Sequence, residues 1–242
     1  MDAEIISQLA PTGILRVALN MANGLLITGK TADGEPDGVA PDMARALAEK
    51  LGVGVELIQF ASPGEIADAA DKDVWDLGLI GAEPVRAEKI DFTAAYVEIE
   101  ATYLVPAGST LNTIEEVDSD GIRIAVSGRS AYDLYLSRNL KHAELIQSKG
   151  ISGAVEMFVS EKMDALAGLR PALVNEAAKL PGSRILDGQF TSVQQAMGVP
   201  KGRSAGAEYL SAFVEEAKAS GLVTRLIERH GVTSRLSVAQ AA

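Results

Sequence analysis

Two short stretches of this chain carry side chains suited to gripping an anion. The first is Gly81-Ala82-Glu83-Pro84-Val85-Arg86-Ala87-Glu88-Lys89-Ile90-Asp91-Phe92-Thr93. It follows Trp75-Asp76-Leu77-Gly78-Leu79-Ile80, which predicts a strand. Arg86 therefore falls just past a strand's C-terminal end, where open α/β sheets bind ligands. A guanidinium there can hold a carboxylate through two parallel hydrogen bonds. The plainer reading is a surface arginine paired with Glu83 or Glu88. The second stretch is Ser127-Gly128-Arg129-Ser130, between a strand ending at Val126 and a helix opening near Ala131. Ser130 is a natural N-cap, and free amides at the positive end of a helix attract anions. A cap without a ligand is the plainer alternative.

Other candidates carry less. Asn20 and Asn23 follow the first strand and can bond a ligand or form turns. Arg170, in Gly168-Leu169-Arg170-Pro171, either lines a cleft or faces solvent. Gln194 and Gln195 lie in an extended segment, where alternation turns only one of them inward. Gly24-Leu25-Leu26-Ile27-Thr28-Gly29-Lys30-Thr31 matches the phosphate-binding loop pattern. That mechanism needs a helix to begin at Lys30-Thr31, and Ala32-Asp33-Gly34-Glu35-Pro36-Asp37-Gly38 cannot carry one. A hairpin turning at Asp33-Gly34 is expected instead. His142 and His230 have no obvious serine and carboxylate partners, and His230 suits a helix C-terminus. Asp71, Asp73 and Asp76 read as a solvated loop before a strand.

Composition narrows the class. Across 242 residues, 33 acidic and 22 basic side chains leave a net charge of −11. That argues against nucleic acid and anionic lipid as partners, since both need a basic face. The absence of cysteine removes disulfides, thiol nucleophiles and thiolate metal sites, and two histidines cannot make a multi-histidine zinc site. Only carboxylate-ligated metals stay open, and no cofactor is expected. Few aromatic residues weigh against a sugar cleft. No apolar run reaches the ~20 residues of a membrane span. The first residues, Met1-Asp2-Ala3-Glu4-Ile5-Ile6-Ser7-Gln8, lack the basic start and apolar core of a signal peptide. Either a leader is removed, or the protein stays in the cytoplasm.

These residues need a scaffold of alternating elements to position them. Strands are predicted at Ile14–Leu19, Val53–Ile58 and Trp75–Ile80. Helices are expected over Pro41–Leu51 and from Ser62-Pro63-Gly64-Glu65, a capping-box pattern. After an extended segment, Tyr96–Val105, the alternation restarts. Strands at Ile122–Val126, Glu144–Gln147, Ala165–Ala167 and Arg184–Leu186 alternate with helices over Ala131–Leu140, Ile151–Glu161 and Pro171–Lys179. A second extended segment, Val193–Val199, precedes two final helices, Ala205–Ser220 and Leu222–His230. Two α/β units joined by two crossings imply that the C-terminal tail completes the first. A cleft between such units is a common ligand site.

The order of segments resembles the family 3 solute-binding proteins, amino-acid receptors of ABC importers, over roughly residues 13–232. Gly13-Ile14-Leu15-Arg16-Val17-Ala18 resembles the family's opening strand. The stretch from Gly38-Val39-Ala40-Pro41-Asp42 to Leu51-Gly52 resembles its first helix. Arg86 to Asp91-Phe92-Thr93 resembles its arginine-to-"DF[ST]" motif, and Met197-Gly198-Val199-Pro200-Lys201-Gly202 resembles the strand that re-enters lobe one. The resemblance implies a two-lobed α/β type II periplasmic-binding fold, each lobe a mostly parallel sheet flanked by helices, hinged on two crossing strands. It places lobe one at residues 1–97 and 194–242 and lobe two at 98–193. It implies that Arg86 holds a ligand carboxylate, with the turn Arg129-Ser130-Ala131 assisting; by their positions at strand ends and turns, Gly81, Glu83, Ser127, Gly128, Asn20, Asn23 and Arg170 are further candidates. Two departures stand out. The loop before Arg86 is shorter and lacks a ligand-facing threonine, and Leu169 occupies the place of the aspartate that grips an α-ammonium. Glu83 is a candidate replacement; otherwise the ligand is a carboxylate without a free α-amino group.

The expected function is therefore a monomeric, non-enzymatic receptor that captures a small carboxylate, an amino acid or similar, by hinge closure. It would present that ligand to an ABC permease from the periplasm. The alternatives are a cyclohexadienyl dehydratase-like enzyme on the same fold, with Glu83 as the acid, or a cytoplasmic sensor without a transporter.

Overall fold

A computed structural model of the chain describes residues 2–242. It begins with a helix that the sequence patterning does not announce, α1 (Ala3–Leu9), capped by Asp2 through the Glu4 amide. Then come β1 (Ile14–Asn20), the two-residue strands β2 (Gly29–Lys30) and β3 (Pro36–Asp37), α2 (Val39–Leu51), β4 (Gly54–Phe60), α3 (Pro63–Asp68), β5 (Leu77–Gly81) and the long β6 (Ile90–Val105). A single 3-10 turn, Glu115–Val117, precedes β7 (Arg123–Ser127), α4 (Ala131–Asn139), β8 (Glu144–Ser148), α5 (Gly150–Ser160), β9 (Ala165–Leu169), α6 (Arg170–Ala177) and β10 (Arg184–Ile185). The chain closes with β11 (Thr191–Pro200), α7 (Ser204–Ala219), α8 (Leu222–Arg229) and β12 (Ser237–Val238).

The chain forms two compact units. One comprises the residues up to Glu98 together with Gln194–Ala242; the other is Ile99–Val193. In the first, the strand order is β4-β1-β5-β11-β6. β1 runs parallel to β4, with Ile14 opposite Gly54 and Asn20 opposite Phe60, and parallel to β5. β11 lies antiparallel to β5, with Gln195 opposite Gly81. In the second, β6-β9-β7-β8 is the order, with β7 parallel to both β8 and β9. Parallel neighbours joined by helices explain the near-continuous apolar runs, because both sheet faces are covered. The second unit shows this residue by residue. Tyr103, Val105, Ile124, Val126, Ala165 and Ala167 pack on one face. Their strand neighbours Leu104, Ala125 and Leu166 pack on the other.

Where the elements differ from expectation, burial decides. The strand expected over Trp75–Ile80 starts at Leu77, because the indole of Trp75 turns into the core and donates to the Ile66 carbonyl at 3.2 Å. The first crossing strand starts at Ile90 rather than Tyr96, taking Asp91-Phe92-Thr93 into the sheet. Gly29 and Lys30 form a strand, not a helix start. β2 pairs antiparallel with β3 as a hairpin, closed by the Thr31 amide donating to Glu35 O at 2.9 Å. Gly38 then admits α2 at φ 149°, where a side chain would collide with the Leu26 carbonyl. α1 is too short to persist alone; it packs on α7, with Leu9 buried.

Candidate functional site

Arg86 is buried, at 3% exposure. The loop that places it is a tight turn. The Arg86 and Ala87 amides donate to Glu83 O, and Ile90 donates back to Arg86 O at 3.0 Å. This returns the chain directly from β5 into β6. Nη1 of Arg86 donates to the carbonyl of Gly81, the last residue of β5, at 2.6 Å. The neighbouring Ala82 amide is held by Gln194 O at 2.8 Å, so β11 fixes the same strand end. Gln195, not Gln194, is the buried member of that pair, at 4% exposure. The structure thus brings Gly81, Glu83 and Arg86 together and removes the surface-arginine reading. Half-buried Glu83 and exposed Pro84 and Val85 form the rim of this turn.

In the other unit, Ser130 caps α4: its hydroxyl accepts from the Asp133 amide at 3.1 Å. Asp133 is fully buried and answers by accepting from the Arg129 amide at 2.6 Å and from Nε2 of Gln147 at 2.9 Å. This is a capping box shifted by one residue. The Gly128 amide donates to Ser148 O at 2.9 Å and the Ser130 amide to Ser127 O at 3.3 Å. The first-turn amides of Ala131 and Tyr132 have no carbonyl one turn back within the helix, so they are the donors left to face an anion. Gly128, expected to offer its amide, instead holds the strand edge. Tyr132 is nearly fully buried; desolvation raises the pKa of its hydroxyl, while hydrogen bonds with Ser130 and Ser127 pull the other way. Arg129 holds φ 61°, a left-handed conformation that costs a residue with a side chain.

The remaining candidates hold local structure. Oδ1 of Asn20 accepts from the Ala22 amide and Oδ1 of Asn23 from the Leu25 amide, each at 3.2 Å, so both shape their own turns. Arg170 lies at the same end of the parallel pair β7–β9 as Ser127, but its guanidinium is engaged. It donates to Glu100 at 2.6 Å and to the carbonyls of Leu186 and Gly188.

Two clusters escaped the sequence. Asp76, expected in a solvated loop, is fully buried. It takes Nε of Arg16 at 2.8 Å and Nη1 of Arg203 at 2.8 Å. Burial alone would raise the Asp76 pKa, but the hydrogen bonds from Arg16 and Arg203 hold it below the usual carboxylate value. Arg203 also donates to Gln8 O, tying α1 to this centre. The second cluster corrects the view of His230 as a histidine without partners. Its Nε2 lies 2.8 Å from Oδ2 of Asp42, and its Nδ1 lies 3.4 Å from the Thr28 hydroxyl. Asp37, Asp42 and His230 bring ligand-type atoms within 4.8 Å of one another. Arg45 and Arg229 already sit on Asp42 at 3.0 and 3.2 Å, offsetting the negative charge a cation would need. The cluster clamps α8 to α2.

No helix among the described residues is long and apolar enough to cross a membrane. The profile described as "Bacterial extracellular solute-binding proteins, family 3" matches residues 26–233. The cyclohexadienyl dehydratase of Pseudomonas aeruginosa is 23% identical over 237 residues, covering 92% of this chain and 84% of that protein. Among solved structures, the ancestral amino acid-binding protein AncCDT-1, a precursor of cyclohexadienyl dehydratase, superposes with a TM-score of 0.75 at 21% identity, covering 93% of this chain and 97% of that one. The amino acid ABC transporter substrate-binding protein AbpA of Streptococcus pneumoniae, bound to L-arginine, superposes with a TM-score of 0.74 at 20% identity, covering 92% and 96%. At these identities the superpositions show the fold: a type II periplasmic-binding architecture.

Proposed function

We propose a ligand and a mode of capture for this chain, which belongs to the bacterial extracellular solute-binding proteins, family 3. It is a receptor for a small carboxylate, an amino acid or a close analogue, that it delivers to an ABC permease outside the cytoplasmic membrane. Arg86 holds the carboxylate through its guanidinium fork, and the first turn of α4, with Ser130 and the Ala131 and Tyr132 amides, is the anion-binding element of the other unit. Capture proceeds by closure about β6 and β11, the strands that pass from one unit into the other. The observation that carries this reading is the burial of Arg86 at the C-terminal end of β5, where its Nη1 donates to the Gly81 carbonyl. The guanidinium fork offers two parallel N–H donors, and a carboxylate is their geometrically matched acceptor.

The ligand's amino end is the finer part of the proposal. Leu169 ends β9 with an apolar side chain packed toward the core, and the neighbouring Glu100 is engaged by Arg170. Neither offers a carboxylate to an α-ammonium, which favours a ligand whose amine is absent, masked or met by Glu83. A thermal-shift panel of amino acids, N-acylated amino acids and plain carboxylates tests this. A ligand at about 100 times its Kd should add about 2.7 kcal/mol of stability. A shift with free α-amino acids alone would overturn the amine-poor ligand while leaving the receptor intact.

A second reading has one specific support, the match to a dehydratase over most of the chain. On it, Glu83 beside Arg86 protonates a leaving group on a bound carboxylate. Turnover of prephenate or arogenate by the purified protein, abolished by Glu83→Gln, would establish it; binding without turnover would exclude it.

A further inference from the structure

We propose that the second unit holds another site, for a small apolar molecule bearing one anionic group, at the sheet end opposite Ser127 and Ser130. A cavity of about 330 Å³ opens there. Its apolar walls come from Pro106 after β6, Phe158 and Val159 at the end of α5, Met163 before β9, and Leu180 and Pro181 after α6. Met163 and Asp164 precede β9, whereas Leu169 and Arg170 end and follow it. The cavity and the candidate receptor residues therefore lie at opposite ends of one strand. The volume suits a small ligand.

The polar groups on the cavity are committed, with one exception. Asp164 accepts from the Arg123 amide at 2.8 Å, and the Ser183 hydroxyl donates to Leu180 O at 2.6 Å. Arg123, whose amide holds Asp164, bonds Glu161 through its guanidinium. Lys162 is exposed and has no hydrogen-bond or ion-pair partner among the described residues. Its backbone sits at φ 53°, in the helix-ending turn where Met163 N donates to Phe158 O at 3.1 Å. Glycine is the unstrained occupant of such a position. Lysine there accepts a backbone penalty and places a cationic residue on the lining, beside apolar walls and the Asp164 carboxylate that the Arg123 amide holds. The wall opposite depends on a close approach. Gly182, at φ 81°, lets the loop lie against Ala107, where an added Cβ would come within 2.8 Å of the Ala107 methyl. Val159, half exposed at the rim, marks apolar surface that an occupant would cover. An aliphatic monocarboxylate fits this combination, and no part of the inference depends on the receptor proposal.

Calorimetric titration of the full chain with octanoate, and with octanol as the uncharged control, tests it. The expected result is one saturable octanoate site that Lys162→Gln weakens about tenfold, with octanol affinity unchanged. Val159→Trp, at an exposed rim position, should abolish both at unaltered circular dichroism; if that variant does not fold, Lys162→Gln alone decides. Arg86→Ala should leave octanoate affinity intact. The absence of saturable binding, or indifference to Lys162→Gln, would overturn the proposal. Octanol bound as tightly as octanoate would assign the cavity to a neutral apolar partner and also overturn it. Loss of octanoate in Arg86→Ala would place the ligand at the receptor site and have the same consequence.

Discussion

Replacing Asp76 by Asn should unlock the first unit. Asp76 is fully buried and receives three side-chain hydrogen bonds, from Nε and Nη2 of Arg16 at 2.8 and 2.9 Å and from Nη1 of Arg203 at 2.8 Å. The guanidiniums are themselves 17% and 18% exposed. Removing one member of a buried ion pair costs about 3–5 kcal/mol, because the other is left uncompensated. Asp73 still meets Arg16 at 2.8 Å but is 80% exposed and offsets little. Asparagine also keeps one acceptor. The loss should therefore fall near the lower bound, about 3 kcal/mol, or roughly 6–12 °C in Tm for a protein of this size. The pH dependence gives a second handle. Burial opposes ionisation of Asp76, but the bonds from Arg16 and Arg203 outweigh it and depress the pKa. The unfolded chain therefore binds the proton more readily. The carboxylate's contribution is complete above about pH 4 and is lost as pH falls through the lower folded value. Urea unfolding of wild type and variant across pH 2–7 measures both effects. A difference below about 1 kcal/mol at neutral pH, or one that widens on acidification, would refute the reasoning.

Other substitutions probe separate parts of the fold and site. Arg129→Gly should relieve the left-handed strain at φ 61° and raise stability by about 0.5–1 kcal/mol, while removing a cation beside α4 and weakening carboxylate binding; paired melts and titrations would reveal this trade. Ser130→Ala should cost about 1 kcal/mol by removing the α4 cap, and weaken ligand binding in calorimetry as well. Gly38→Ala should be far worse, about 3 kcal/mol or more, since φ 149° and the Leu26 carbonyl penalise it together; soluble yield and the urea midpoint report on it.

The alternation of strands and helices was legible because each strand is covered on both faces and each helix shows one apolar face. α2 is the clear instance, with Met43, Leu47 and Leu51 buried in line and Gly52 closing the end at φ 73°. The hairpin was equally legible, since Asp33-Gly34 and the polar residues around it are local turn chemistry. The fate of Asp76 was not. Its burial depends on Arg203, 127 residues away, and no window of sequence holds both. α1 and β12 escaped for a related reason: seven and two residues carry too little periodicity, and tertiary contacts with α7 and β6 form them. At the candidate site, residue types were readable and hydrogen-bond assignments were not. Gly128 looked like an anion donor until Ser148 O took its amide, and Arg170 looked available until Glu100 and two carbonyls engaged it. His230 joined Asp42 from 188 positions away.

The central claim is that buried Arg86 holds a ligand's carboxylate. The most direct measurement is calorimetric affinity of wild type, Arg86→Lys and Arg86→Ala for the strongest ligand in the thermal-shift panel. Truncating one member of a buried, hydrogen-bonded charge pair costs about 2–5 kcal/mol, so Arg86→Ala should weaken binding by at least about 30-fold. Arg86→Lys should recover only part of it, because an ammonium keeps the charge and loses the fork. Both variants should retain the wild-type circular dichroism spectrum. Unchanged affinity in a folded Arg86→Ala protein would contradict the claim.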